Sequence, residues 1–347
     1  MIYPKFPKEG DTIGVCAPSA GVGDKIEYFD LSMETLRSRG FQLEETDSVR
    51  NESYPSASAE ERGSEFNYCF GNERISAVLC ASGGDYCIEM LPFIDQDLVK
   101  SNPKWFTGYS DPTSIEMLLT TKLDIATIYG VNAGAWDWRP LHESQEISLR
   151  ILKGDLPVQH SYDKYFKPNF EVEPSVYNMD TDVKWELFMP EHVSDTAVAC
   201  YSYAPAYELE VSGRLIGGCI DVIDWIMGTP YEDLEGFCAR YKDDGFIWFF
   251  DNFDLDPLKL QYVLRKMQLK GLFKDARAII FGRTFLPGEA TDADYLEKIN
   301  RVLADTGVPL IWNADIGHTK PSMTLINGAI GHFSFHHGHA TLSMELK

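Results

Sequence analysis

KWFTGYSDPTSIEMLL, residues 104–119, joins a short apolar run to an amphipathic stretch through the turn Ser110, Asp111, Pro112. The run 105–109 has the aromatic character of a buried strand, and from Ser114 onward the apolar side chains recur at helical spacing. Pro112 suits the first turn of that helix, where its missing N–H would have no partner in any case. Moving outward, further strand-like runs at 12–17, 41–45, 77–80 and 126–130 alternate with helix-like stretches at 25–37, 58–70, 86–91 and 112–122. Such alternation predicts an α/β chain with a doubly wound parallel sheet, whose ligands bind beyond the carboxyl ends of the strands.

From 155 to 204 the periodicity dissolves into a polar, aromatic stretch, the length of a functional connector or lid. It returns with strands at 209–215, 245–250, 278–282 and 310–312, helices at 219–227, 257–269 and 294–305, and a terminal strand pair at 332–336 and 340–346. The expected domains are therefore 1–154, carrying the turn at Ser110, a connector 155–204, and a second α/β domain 205–347.

The 347 residues are 44% hydrophobic and 24% charged, enough to bury a sizeable core. A net charge of -22 repels phosphodiester backbones and anionic lipid, so neither nucleic acid nor a membrane is expected as a partner. No apolar run reaches the eighteen or more residues of a membrane helix, and the first residues lack a signal-peptide pattern; the expected location is cytoplasmic. Seven cysteines at irregular spacing, without a Cys-x-x-Cys pair, argue against a disulfide framework or a zinc site.

Ser110 at a sharp strand-to-helix turn follows the logic of a nucleophile elbow, with Gly108 present and Pro112 where a second glycine would stand. The backbone N–H of Asp111 would then face a developing oxyanion. The competing reading is a plain helix N-cap. Gly83 and Gly84, in a second strand-to-helix turn, either supply the other half of an oxyanion hole or simply turn the chain. Of eight histidines, His318 has the context of a base, in the compact loop NADIGHTKPSMTL. The terminal His336, His337 and His339 read as surface residues on alternating faces. Asp251, closing the apolar strand 246–250, is placed to orient a histidine, with Asp254 as its competitor.

Several segments, GDTIGVCAPSAG, ASGGDY, GYSDPTSIEMLL, GRLIGGCIDVIDWIMGTPYEDLEG, FIWFFDNFD, AIIFGR and ADIGHTKPSMTLINGAIG, occur in one family's order over nearly the whole chain. On these the sequence resembles the LD-carboxypeptidases, serine peptidases that include murein tetrapeptide and microcin C immunity members. The resemblance implies an N-terminal flavodoxin-like domain and a C-terminal swivelling β/α domain, a homodimer, and no metal or other cofactor. It implies Ser110 as nucleophile, His318 as base, and the N–H groups of Gly84 and Asp111 as oxyanion donors. The family's triad glutamate falls on Asp251, one methylene shorter, and Asn252 follows where a second acid is usual. Tyr129 stands where murein-acting members commonly carry histidine, and Trp185 falls in the loop where immunity-type members stack a nucleobase; both are expected to bind substrate. The implied substrates are small peptides, or peptidyl- and aminoacyl-nucleotides, cleaved at an amide near an anionic end. A binding protein that has lost hydrolysis through the shortened acid is the alternative of another class.

Overall fold

Strand β1, Thr12–Cys16, lies inside a sheet built with β2 (Gln42–Glu45), β3 (Ile75–Cys80), β4 (Trp105–Gly108) and β5 (Thr127–Tyr129). All four pairings among these strands, β2 to β1, β1 to β3, β3 to β4 and β4 to β5, are parallel. The helices between them start where local chemistry directs: Ser58 and Glu61 form a reciprocal capping box ahead of Ala59–Gly71. The computed structural model describes residues 1–167, 179–192 and 199–347.

The second sheet begins in the stretch expected to be a connector. β6 (Gln159–His160), β9 (Glu186–His192) and β10 (Ala199–Tyr203) join β11 (Leu209–Cys219), β12 (Phe246–Asp251), β13 (Ala276–Gly282), β14 (Leu310–Ala314), β16 (Ile330–His336) and β17 (His339–Glu345). The order is β10-β9-β14-β13-β12-β11-β16-β17-β6, parallel from β11 to β14 and antiparallel outside. Two short strands, β7 (Lys164–Tyr165) and β8 (Thr181–Asp182), form a separate pair. Residues 168–178 and 193–198 of the expected connector lie outside the described residues. Polar-aromatic residues conceal edge strands, because an edge strand half-exposed to water carries no clean apolar alternation.

The two halves are interlocked. β15 (Leu325–Asn327), which follows the His318 loop, leaves the second sheet and pairs antiparallel with β5 as the sixth strand of the first. One apolar cluster runs through both halves, with Phe106, Ile115 and Leu118 packed together with Ile216, Ile220 and Phe250. β4, β5 and β12 end at Gly108, Tyr129 and Asp251, and the last two are joined across the halves by a hydrogen bond. Among the described residues no helix is long and apolar enough to cross a membrane.

Candidate active site

Ser110 has φ 71°, a left-handed conformation uncommon for a residue with a Cβ. The turn is closed by Thr113 N–H donating to the Ser110 carbonyl at 2.9 Å and Ser114 N–H to that of Asp111 at 3.0 Å. Gly108 is needed here because a Cβ would come within 2.8 Å of Pro112 Cβ. The helix Thr113–Met117 then begins, opening into a wider π turn at Leu118–Lys122. Strain of this sort costs on the order of 1–3 kcal/mol and persists where the surroundings over-determine it.

What over-determines it is the side chain of Asp111. Buried, it accepts from the Ser19 hydroxyl and, at 2.8 Å, from the Cys87 N–H. It thus ties the loop after β1, the glycine turn after β3 and the elbow into one unit. Burial raises its pKa above the ordinary value, opposed by those two hydrogen bonds. Sequence reasoning assigned Asp111 only a backbone role; Ser19, in the PSAG turn, was visible only as a turn residue. The N–H groups of Gly84 and Asp111 have no protein acceptor among the described residues. Gly84 has φ +144° and stands against Ser19.

His318 Nε2 lies 3.0 Å from Ser110 Oγ. Its other ring nitrogen, Nδ1, is 2.7 Å from Asp251 Oδ2. The Nδ1–H is not aligned along that line, so this is a close contact rather than a straight hydrogen bond. The second carboxylate oxygen accepts the backbone N–H of His318 at 3.3 Å. The shorter acid therefore reaches the imidazole, and the reason is Gly317: with φ +92° and no side chain, it lets the carboxylate approach where a Cβ would overlap it. Asp254 plays another part. Its backbone and that of Phe253 donate to the buried Asp221 carboxylate at 3.1 and 3.0 Å, which fixes the loop that sets Phe253 4.7 Å from the imidazole. Asn252 is likewise a loop residue, donating to Leu255 O and Thr284 Oγ1.

The His318 loop rests on Arg283, whose guanidinium contacts Asp315 at 2.7 Å and donates to Thr319 Oγ1 at 3.1 Å. Trp185 belongs to this support. It is 2% exposed, its Nε1–H donates to Asp315 at 2.9 Å, and its ring lies parallel to Phe333. The expectation that Trp185 stacks on substrate is corrected: its face is spent on the core and its one donor on a buried carboxylate. Tyr129 is also 2% exposed, and its hydroxyl donates to Asp251 Oδ2 at 2.7 Å, so it faces the acid and not a substrate. The other histidines stand apart. His142 caps the helix Glu143–Leu152, and His332, His336 and His339 pair at the surface with Glu345, with Glu208 and Glu210, and with Asp163. Among the described residues no group of three or more His, Cys, Asp or Glu is arranged to hold a metal.

Ser110 and His318 open onto a cleft of about 380 Å³ bordered by Gly83, Gly84, Tyr54 and Lys25. A second cavity of about 240 Å³ adjoins it across Ser82, Tyr109 and Asn132 and is walled by Tyr28, Phe29, Trp138 and Lys320. These wall residues carried no signal in the sequence, because aromatic side chains in loops read as core until the loops are placed.

Behind the elbow, Glu116 is fully buried with neither carboxylate oxygen partnered among the described residues. Burial pushes its pKa well above the ordinary 4.5. An acid held protonated in the fold but ionised in the unfolded chain costs stability as pH rises past its unfolded value, by up to about 1.4 kcal/mol per pH unit. Glu116→Gln is therefore expected to match the parent in urea unfolding at pH 4 and to exceed it increasingly above pH 5; equal midpoints at pH 7.5 would contradict this.

Residues 13–130 match the model of the LD-carboxypeptidase N-terminal domain and 212–332 that of the LD-carboxypeptidase C-terminal domain. The Microcin C7 self-immunity protein MccF of Escherichia coli is 26% identical over 334 residues, covering 91% of this chain and 88% of that protein. A probable murein peptide carboxypeptidase of Bacillus subtilis is 23% identical over 334 residues, 94% and 89% of the two chains. The fold is shared with an MccF-like protein from Bacillus anthracis, at TM-score 0.81, 20% identity and full coverage of both chains. It is shared too with MccF in complex with aspartyl sulfamoyl adenosine, at TM-score 0.75, 21% identity, and 100% and 99% coverage. With both domain models matched in order and the two-sheet architecture in common, the chain belongs to the LD-carboxypeptidase family of peptidases.

Proposed function

We propose that this protein is a serine hydrolase of the immunity type, cleaving the amide of an aminoacyl-nucleotide or similar conjugate near an anionic end. The observation that supports it is the continuous line from Ser110 Oγ through His318 to Asp251, at 3.0 and 2.7 Å. In this reading His318 Nε2 takes the Ser110 proton as the oxygen attacks the carbonyl, and Asp251 steadies the imidazolium. The N–H groups of Gly84 and Asp111 receive the oxyanion, a contribution of roughly 3 kcal/mol per donor. His318 then returns the proton to the leaving nitrogen, and water releases the acyl group by the same steps.

Trp185 no longer argues for a nucleotide. The cavity beside the cleft does, since its wall of Tyr28, Phe29 and Trp138 suits a planar ring. Murein tetrapeptide cleavage is the second reading, favoured by the B. subtilis relative over 94% of the chain. Parallel assays with aspartyl sulfamoyl adenosine and a murein tetrapeptide separate the two: cleavage of the first is expected, and cleavage of the tetrapeptide alone reverses the assignment. Ser110 should also react with a fluorophosphonate. Ligand binding without labelling would make the protein a silent binder.

A further inference from the structure

Tyr129 lies at the junction of the three chain segments that bring Ser110, His318 and Asp251 together. On one side its backbone pairs with Gly108, just ahead of Ser110. On the other it pairs with Leu325, on the strand that follows the His318 loop. Its side chain crosses into the second half of the molecule, beside Phe249 at 5.6 Å, and donates its hydroxyl to Asp251. The oxygen it meets, Oδ2, is the one closest to the imidazole. Tyr129 is the only side chain among the described residues that makes a hydrogen bond to this carboxylate; the imidazole makes a close contact with it, and the His318 backbone N–H donates to its other oxygen.

A nucleophile on one sheet and an acid–base pair on another must be registered to within a fraction of an ångström for proton transfer. The apolar core between the halves fixes their distance but has no directional preference, whereas a buried hydrogen bond does. A carboxylate on the short aspartate stem has one fewer torsion than glutamate, so fixing Oδ2 fixes the whole group. We infer that Tyr129 is the positioning residue of this triad, aiming the carboxylate of one half at a histidine that serves the nucleophile of the other. It acts through Asp251 and touches no substrate. The inference rests on the hydrolase reading above, in which Asp251 is the triad acid.

The test is a double-mutant cycle between Tyr129→Phe and Asp251→Asn, with kcat, KM and the rate of fluorophosphonate labelling measured for each protein and thermal unfolding as a check of fold. Tyr129→Phe should lower kcat and the labelling rate together, by about 10- to 100-fold, and leave KM within about 2-fold. In the Asp251→Asn background the same change should add almost nothing, because the group it acts through is already disabled. Multiplicative losses in the double variant, or a loss confined to KM, would overturn the role of Tyr129 while leaving the hydrolase reading intact. Full turnover in Asp251→Asn alone would instead remove the triad acid itself. Should Tyr129→Phe not fold, Tyr129→Met, which also drops the hydroxyl while keeping apolar bulk, enters the same cycle.

Discussion

Ser110→Ala is expected to reduce hydrolysis by on the order of 10⁶-fold while leaving the thermal unfolding midpoint within a few degrees of the parent. The loss is so large because, in the proposed mechanism, this oxygen is the atom that forms a bond to substrate. Among the described residues, Ser110 Oγ is the one hydroxyl or thiol hydrogen-bonded to His318 Nε2. The fold survives because the elbow is held by Asp111 and by backbone bonds from Thr113 and Ser114, none of which uses the serine hydroxyl. Alanine inherits the left-handed backbone at this position, so its cost is the one serine already bears. A variant still turning over at more than a thousandth of the parental rate would end the assignment of Ser110 as nucleophile.

The second large effect is expected at a residue without a side chain. Gly317→Ala adds a methyl where the Asp251 carboxylate now sits, on a backbone with φ +92°. The carboxylate is buried and tied to Tyr129 and to the His318 backbone, so it cannot swing into solvent. Either the acid withdraws from the imidazole or the His318 loop lifts away from Ser110. Both outcomes leave the histidine unoriented, a loss on the order of 10³- to 10⁴-fold in kcat by comparison with the removal of a triad acid. Ligand binding to the cleft, measured by calorimetry with aspartyl sulfamoyl adenosine with both proteins carrying Ser110→Ala to prevent turnover, should change far less, since Gly317 does not border it. Near-parental kcat in Gly317→Ala would show that Asp251 has slack and that its close approach is not what makes a short acid sufficient.

Parallel strands such as β3 and β12 were legible in the sequence because they are buried on both faces and read as apolar runs, whose flanking turns and helices complete the pattern. The edge strand β10 and its neighbour β9 were not, their described residues being largely half-exposed and mixing polar with aromatic side chains. The exchange of β15 between sheets left no local trace, because Leu325–Asn327 is a short apolar run that fits either partner. At the site, a strand end, a tight loop and a helix start made Ser110, His318 and Asp251 candidates, each beside a plainer reading, and it was the family resemblance that implied their roles; the structure brings the three side chains together. Tyr129 and Trp185 were assigned the wrong surroundings: position in the chain says which loop a ring belongs to, and only packing says which way it faces. Gly317, Asp221 and Arg283 act by supporting others, and support is a property of neighbours far apart in sequence.

The exchange of β15 also orders events in time. Synthesis proceeds from the amino terminus, so the first five strands and Ser110 leave the ribosome long before Leu325–Asn327 exists. Until that segment arrives, β5 is an unpaired edge and the half-built sheet lacks both its closing strand and the histidine proposed as its base. The strand that seals the first sheet is delivered by the same stretch of chain that brings in His318. In the proposed mechanism, completion of the scaffold and arming of Ser110 would thus be one step.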